Sequence, residues 1–204
     1  MSQVKSRREQ YSAATRAALL DAATRRFAER GFTGTALEDV AADIQATRGA
    51  VYHHFANKTA LFEAVFEELE SAAVAECAAA ARAAGDDPWQ AAIAALAAFL
   101  DICCDPVYGR VVWQEAPLAL GWHRWRECEE KFAYGLIEQL LSAMMTGGVI
   151  DDLPLETTTR ITFALLMAAG LALSDAPEED KEAVKAEYSL VISRLITGLS
   201  TPTP

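Results

Sequence analysis

Residues 35–62 read Thr35-Ala-Leu-Glu-Asp-Val-Ala-Ala-Asp-Ile-Gln-Ala-Thr47-Arg-Gly-Ala-Val-Tyr-His-His-Phe55-Ala-Asn-Lys58-Thr-Ala-Leu-Phe62. Thr35 followed three residues later by Glu38 has the form of a capping box, so a short helix is expected to begin at Thr35, with Leu37, Val40 and Ala41 turned inward. Thr47 can cap a second short helix running to about His54, and Asn57 a long one from Lys58 to Ala84, ended by Gly85. Two short helices about a tight turn make a helix-turn-helix. The second of them starts Thr47-Arg48-Gly49-Ala50, with nothing bulky except Arg48. Small side chains let a backbone approach base edges closely, and a guanidinium reaches guanine O6 and N7. Ala50 can touch a thymine methyl, Tyr52 and His53 can hydrogen-bond phosphates, and Lys58 lies in a first helical turn, where free N–H groups favour phosphate. Val51 and Phe55, four apart, are expected to pack inward.

Upstream, a helix from about Ser12 to Arg30 carries Leu19, Leu20, Ala23 and Phe27 on one side and stops at Gly31. Downstream, helix signals recur and no run of period-2 alternation appears. Asp87-Pro88 opens a fifth helix to about Cys104. Pro106 and Pro117 bound a sixth, and a seventh covers about Trp122 to Thr146, closed by Gly147-Gly148. An eighth runs from about Glu156 to Ser174. Pro177 opens a ninth, with Glu178, Glu179 and Asp180 in its first turn, ending near Leu199; the tail Thr-Pro-Thr-Pro is expected to fray. The fold class expected is all-α: a three-helix unit (residues 1–60) joined through a long helix to a larger helical body (residues 61–204).

Charge divides the chain at the same place. Residues 1–60 hold nine basic and six acidic groups, and the remainder holds nine basic and 23 acidic, within an overall net charge of −11. Phosphate would be repelled by the acidic body, so a nucleic-acid partner must meet the amino-terminal unit. A merely solvated basic face fits the same numbers. The apolar content of 52% allows a sizeable core. The longest charge-free stretch, Ile161 to Ser174, is too short for a bilayer, and the polar start of the chain has no signal-peptide character. The four cysteines (Cys77, Cys103, Cys104, Cys128) include no C-x-x-C pair, which argues against a zinc site and for a reducing, cytoplasmic setting. Adjacent His53 and His54 point about 100° apart on a helix and suit no shared ion, so neither metal nor cofactor is expected. Cys103 and Cys104 stand beside Asp101 and Asp105, which disfavour a reactive thiolate. There is no Gly-rich phosphate loop, no G-x-S-x-G and no carboxylate pair with a partner histidine. Glu127, Glu129 and Glu130 read as a solvated face.

The stretch Leu37-Glu-Asp-Val-Ala-Ala, then Thr47 to Phe55, Lys58 and Leu61-Phe62, with Phe27-Ala-Glu-Arg-Gly-Phe32 and Thr35 before it, resembles the DNA-binding domain of TetR-type transcriptional regulators. The likeness covers about residues 12–66, and Tyr52-x-His54-Phe55 with Lys58 is its most diagnostic piece. It implies that helix three enters the DNA major groove and that Thr35, Tyr52 and Lys58 contact phosphates. The implied DNA-contacting set is therefore Thr35, Thr47, Arg48, Gly49, Ala50, Tyr52, His53 and Lys58. One position departs from the pattern. The family usually has Gly in the turn before helix three, and here it is Gln45. If that turn needs a positive φ, Gln45 costs on the order of 1 kcal/mol.

The rest of the chain is similar to the family only in length and helical character. The resemblance implies an effector pocket there, for which the aromatic-rich fifth to eighth helices offer Phe99, Cys103, Tyr108, Trp113, Glu115, Trp122, Phe163 and Met167. Such residues at helical spacing also suit an ordinary core. As a pocket they suit a small apolar or aromatic ligand, with Glu115 as counter-charge for a cationic one. The resemblance also implies a homodimer through the last two helices, where Ile161, Leu165, Ala168, Ala169, Ala172, Ala183, Tyr188, Val191 and Leu195 are the candidates; an intrachain core suits the same residues. Double-stranded DNA with a pseudo-palindromic operator and a small-molecule effector are the expected partners, and a repressor the expected role. Two other readings stay open: an all-helical enzyme using the aromatic cavity, and a helical protein-binding module.

Overall fold

The computed structural model describes residues 7–199. The Thr-Pro-Thr-Pro tail and its expected fraying lie outside them. Nine helices and no strands occur among the described residues. They are α1 (Arg7–Arg30), α2 (Leu37–Asp43), α3 (Arg48–His54), α4 (Lys58–Ala83), α5 (Pro88–Cys104), α6 (Pro106–Leu120), α7 (Trp122–Thr146), α8 (Leu155–Asp175) and α9 (Lys181–Thr197).

Three consecutive helix starts, those of α3, α4 and α5, follow side-chain chemistry read from the sequence. Thr47 Oγ1 accepts from Ala50 N–H at 3.2 Å, Asn57 Oδ1 from Ala60 N–H at 2.8 Å, and Asp87 Oδ1 from Trp89 and Gln90 N–H. Each satisfies one or two of the orphan donors of a helix start. Four boundaries differ. Ser12 caps nothing, because the good helix formers Arg7 to Gln10 extend α1 upstream. The Thr35 capping box does not form. α2 begins two residues later behind Ala36, and Thr35 Oγ1 donates instead to Gly31 O and Arg26 O at the end of α1. Pro117 does not end α6. A π-helical stretch, Gly109–Glu115, shifts the hydrogen-bond register, and Pro117 sits just past it, where the next α turn starts and its missing N–H costs little. Pro177 to Asp180 form a hydrogen-bonded turn before α9, with Asp180 N–H donating to Pro177 O, and do not belong to the helix.

Leu19, Phe27, Val40, Val51, Phe62 and Phe66 from α1 to α4 are fully buried and hold the three short-range helices as one block. Phe27, Phe32 and Phe62 pack edge to face or stacked. Arg26 grips Asp43 with two parallel bonds (2.6 and 2.8 Å), fastening α1 to α2. That pairing holds the Asp43 carboxyl below its ordinary range. The turn between α2 and α3 has Gln45 at φ +54°, so the left-handed conformation is required there.

α4 leaves this block and runs into the helical body, packing along α5 and against α7. The Arg124–Glu63 and Lys131–Glu67 ion pairs lace α7 to α4. α5 and α6 meet at a 70° bend. Among the described residues α8 is the one helix long and apolar enough to cross a membrane. Its buried face (Thr162, Phe163, Ala169, Gly170, Leu173) packs against α5, α7, α9 and the π stretch.

Candidate nucleic-acid interface and inner cavity

α3 is held from beneath and open above. Val51 and the following Phe55 are buried in the block, and Thr47, Arg48, Gly49, Tyr52 and His53 are exposed along the outer side, with Ala50 half-exposed at its edge. Arg48 leans on the Tyr52 ring, with its guanidinium carbon 5.3 Å from the centroid, and pairs with Glu38 at 3.0 Å. Glu38 thus occupies Arg48 while no base is present. His54 turns the other way, half-buried, and burial first, then His53 and Arg16, depress its pKa.

A shallow surface depression at the start of α2 is lined by Gly34, Thr35, Ala36, Tyr52, Asn57 and Lys58. It brings together Thr35, Tyr52 and Lys58, three of the four residues for which phosphate contact is expected, but not on equal terms; His53 lies outside it. The Thr35 hydroxyl is buried and committed to two carbonyls, so its side chain holds α1 to α2 instead of facing outward. Lys58 is half-buried. Its ammonium donates to Phe32 O at 2.8 Å and lies 4.5 Å from the Phe32 ring centroid. Tyr52 is the exposed member.

Inside the body, an apolar cavity of about 110 Å³ lies among α4 to α9. Phe99, Tyr108, Trp113, Phe163 and Met167 line it as expected from sequence. Cys103, Glu115 and Trp122 do not. Cys103 is fully buried behind the wall, and burial, with Glu129 and Glu70 nearby, raises its thiol pKa well above the ordinary range. Trp122 is 55% exposed and packs edge-on against Trp125. Glu115 points away from the cavity, toward the amino-terminal block: its carboxylate accepts from Phe32 N–H at 2.7 Å and pairs with Arg110 at 2.7 Å.

The π stretch explains this division. Its i→i+5 hydrogen bonds widen the turn, so that Tyr108 and Trp113 both reach the cavity wall while Glu115 faces away from it. Gly170 of α8 makes room for Trp113. A Cβ there would lie 2.3 Å from the indole Cζ2.

Two wall residues were missed by the sequence reading. Glu70 is 2% exposed and accepts from Tyr108 Oη at 2.5 Å. Glu129 is 3% exposed, not part of a solvated face, and accepts from Trp125 Nε1 at 3.1 Å. Burial pushes the Glu70 carboxyl up to about 7. Burial, with the Glu70 charge next, raises Glu129 well above its ordinary value. The signal was present in the spacing: Glu70 continues the buried series Phe62, Phe66 by four, and Glu129 follows Trp125 by four. Among the described residues no group of three or more His, Cys, Asp and Glu is arranged to hold a metal ion.

Two family models match this chain. Residues 19–65 match the bacterial regulatory proteins of the tetR family, and residues 89–199 match the tetracyclin repressor-like C-terminal domain. The chain is 46% identical over 55 residues to the HTH-type transcriptional regulator TtgR of Pseudomonas putida, an alignment that spans 27% of this chain and 26% of that protein. In structure it is similar to a TetR-family transcriptional regulator from Pectobacterium atrosepticum, with a TM-score of 0.78 at 26% identity, over 98% of this chain and 100% of the other. RolR in complex with resorcinol shares the fold, with a TM-score of 0.67 at 18% identity, over 96% and 98% of the two chains. With both of its parts matched and 98% of the chain superposed, the protein belongs to the TetR family of transcriptional regulators, whose members bind DNA operators as dimers.

Proposed function

We propose that the protein is a sequence-specific repressor, released from its operator by a small apolar or aromatic molecule that enters the inner cavity. The observation that carries this reading is the outer face of α3, with Arg48, Gly49, Tyr52 and His53 exposed on a helix whose other side is locked into a buried core. Residues 1–60 act as the DNA-binding unit and residues 61–204 as the effector-binding and dimerisation body. A dimer through α8 and α9 carries two copies of α3 into successive major grooves, so the operator is pseudo-palindromic, with half-sites about one helical turn apart or more. Such a protein works in the cytoplasm and performs no catalysis. Arg48 exchanges Glu38 for a guanine edge, and Tyr52, His53 and Lys58 fix the register on phosphates. Ligand binding favours a dimer whose two α3 helices no longer match the half-site spacing, by no more than the ligand's differential affinity for the two states.

Fluorescence anisotropy against the DNA flanking the coding region, with salt and non-specific competitor titrated, tests the reading. Competitor-resistant binding at two subunits, or a multiple, per site is expected. Binding that only follows salt, on that DNA and on sequences selected from a random pool, would overturn it.

A further inference from the structure

Glu70 and Glu129 are not explained by operator binding or by packing. Both carboxyls are almost fully buried on the wall of an apolar cavity, and among the described residues neither pairs with a lysine, arginine or histidine. Each accepts only a neutral donor in the hydrogen bonds above, from Tyr108 and from Trp125. Two unpaired carboxyls in an apolar setting destabilise the body unless they do something there. Aromatic rings of Trp89, Phe99 and Trp113 share the same wall, and ring faces attract cations.

We infer that the cavity selects a compact organic cation, a one-ring primary amine, by pairing its ammonium with Glu70 and Glu129, and that binding expels a proton from this pair. The inference rests on the ligand-release reading above. The space of about 110 Å³ suits one ring; an apolar cavity of similar order holds benzene. The proton balance is simple. A carboxylic acid on the wall loses its proton to solvent, and the resulting carboxylate pairs with the incoming ammonium. The groups facing the pair are Cys77 from α4, pushed up to about 12 chiefly by burial, and Tyr108 from α6 and Cys103 from α5, both raised well above their ordinary range by burial, while α8 and α9 offer the cavity only uncharged side chains. The exchangeable proton therefore belongs to the two glutamates. Burial pushes Glu70 up to about 7 and raises Glu129 well above its ordinary value, so the pair carries a proton to give up near neutral pH.

The test is isothermal titration calorimetry of the full-length protein with benzylamine, cyclohexylamine, benzyl alcohol and toluene, at pH 6, 7 and 8, in two buffers of different ionisation heat. The amines are expected to bind at least tenfold tighter than the neutral compounds at pH 8. Their affinity should rise several-fold from pH 6 to pH 8, with proton release for the amines only. Glu129→Gln and Glu70→Gln should each cost the amines most of that preference and leave toluene within about threefold. Proton release by the unaltered protein decides the matter even if a variant folds poorly. Neutral compounds that bind as well as the amines, and release operator DNA, would overturn the charge assignment and leave the ligand-release reading standing. No binding by any of the four overturns the charge assignment. If operator affinity is also unmoved by a wider panel of apolar compounds, the ligand-release reading fails too.

Discussion

The backbone N–H of Phe32, in the turn between α1 and α2, donates to Glu115 Oε2 at 2.7 Å across 83 residues of sequence. The Phe32 carbonyl meanwhile accepts from Lys58 Nζ at 2.8 Å. One peptide segment is thus gripped from the helical body on one side and from α4 on the other. Gly31 beside it sits at φ +70°, and a Cβ there would come within 2.8 Å of the Glu115 carboxylate, so the approach requires glycine. Glu115 closes the same π stretch that carries Trp113 on the cavity wall. On the ligand-release reading proposed above, a cavity ligand that moved Trp113 would pull on Phe32 through two residues of chain.

Glu115→Ala therefore leaves a part-buried N–H without its acceptor and frees Arg110. Such orphaning costs about 1–3 kcal/mol. Thermal unfolding should show that loss. The more telling readout is coupling: operator affinity in the absence of ligand should change less than the ratio of affinities with and without a cavity-filling compound. An unchanged ratio would show that the clasp is only structural.

On α3, Arg48→Ala should cost about 1–3 kcal/mol of operator binding and relax specificity at one base pair. Lys58→Ala should weaken binding to all sequences alike and reduce the salt slope by roughly one. The structure adds a second consequence. Lys58 also holds Phe32 O and covers the Phe32 ring, so its loss should lower the melting temperature, whereas Arg48, exposed beside Glu38, should not. Glu38→Gln removes the competing partner of Arg48 and should tighten operator binding several-fold at low salt. Electrophoretic mobility shifts across a set of single-base operator variants would check all three.

The helix-turn-helix was legible because its determinants are local: a threonine cap, an asparagine cap and apolar positions at helical spacing lie within 28 residues. The helical body was legible in number of helices and less so in what each residue meets. Glu115 and Trp122 looked like cavity residues because nothing local reveals that a π stretch turns Glu115 toward Phe32, or that Trp122 lies outside Trp125. The Thr35 capping box failed for a similar reason: a tertiary pair of carbonyls outcompetes the local N–H groups for its hydroxyl. Glu70 and Glu129 were different. Their helical spacing places them on buried stripes, whereas a glutamate is ordinarily exposed.

Gln45 is the one non-glycine at positive φ among the described residues. A side chain in that region costs roughly 1–2 kcal/mol, offset in part by the 0.5–1 kcal/mol of extra unfolded-state freedom that glycine would bring. Gln45→Gly should therefore be neutral or stabilising by up to about 1 kcal/mol. Gln45→Val, branched at Cβ, should destabilise by about 1–2 kcal/mol. Urea unfolding of both variants measures the strain, and equal midpoints for glycine and valine would remove it from the account.

α8 and α9 expose Ile161, Leu190, Val191 and Leu195, with the small Ala164 and Ala168 also open on the α8 side. Large apolar groups open to water on adjoining helices fit a surface that a second subunit covers. The double variant Val191→Glu with Leu195→Glu places four acidic groups across a two-fold contact. It should yield monomers in sedimentation velocity at micromolar concentration and lower operator affinity by at least tenfold. A dimer that survives the double variant would move the interface elsewhere.

The Glu70 carboxyl also links stability to pH. Burial raises it to about 7 in the folded chain, whereas the unfolded chain titrates near the ordinary glutamate value. Between roughly pH 4.3 and 7 the folded state therefore holds more protons than the unfolded one. Stability falls as pH rises wherever that is so, since the slope follows protons bound unfolded minus protons bound folded. Its contribution is fully present below the unfolded value and lost as pH climbs through 7. Glutamine is neutral at every pH and its amide oxygen can still accept from Tyr108. Glu70→Gln should thus be little different from the parent near pH 5 and more stable at pH 8, by on the order of 2–3 kcal/mol. Denaturant unfolding at fixed protein concentration, repeated from pH 5 to pH 8, gives the difference directly. A gap between the two proteins that stays constant across that range would mean that Glu70 is already ionised in the folded chain, with a cation or water beside it.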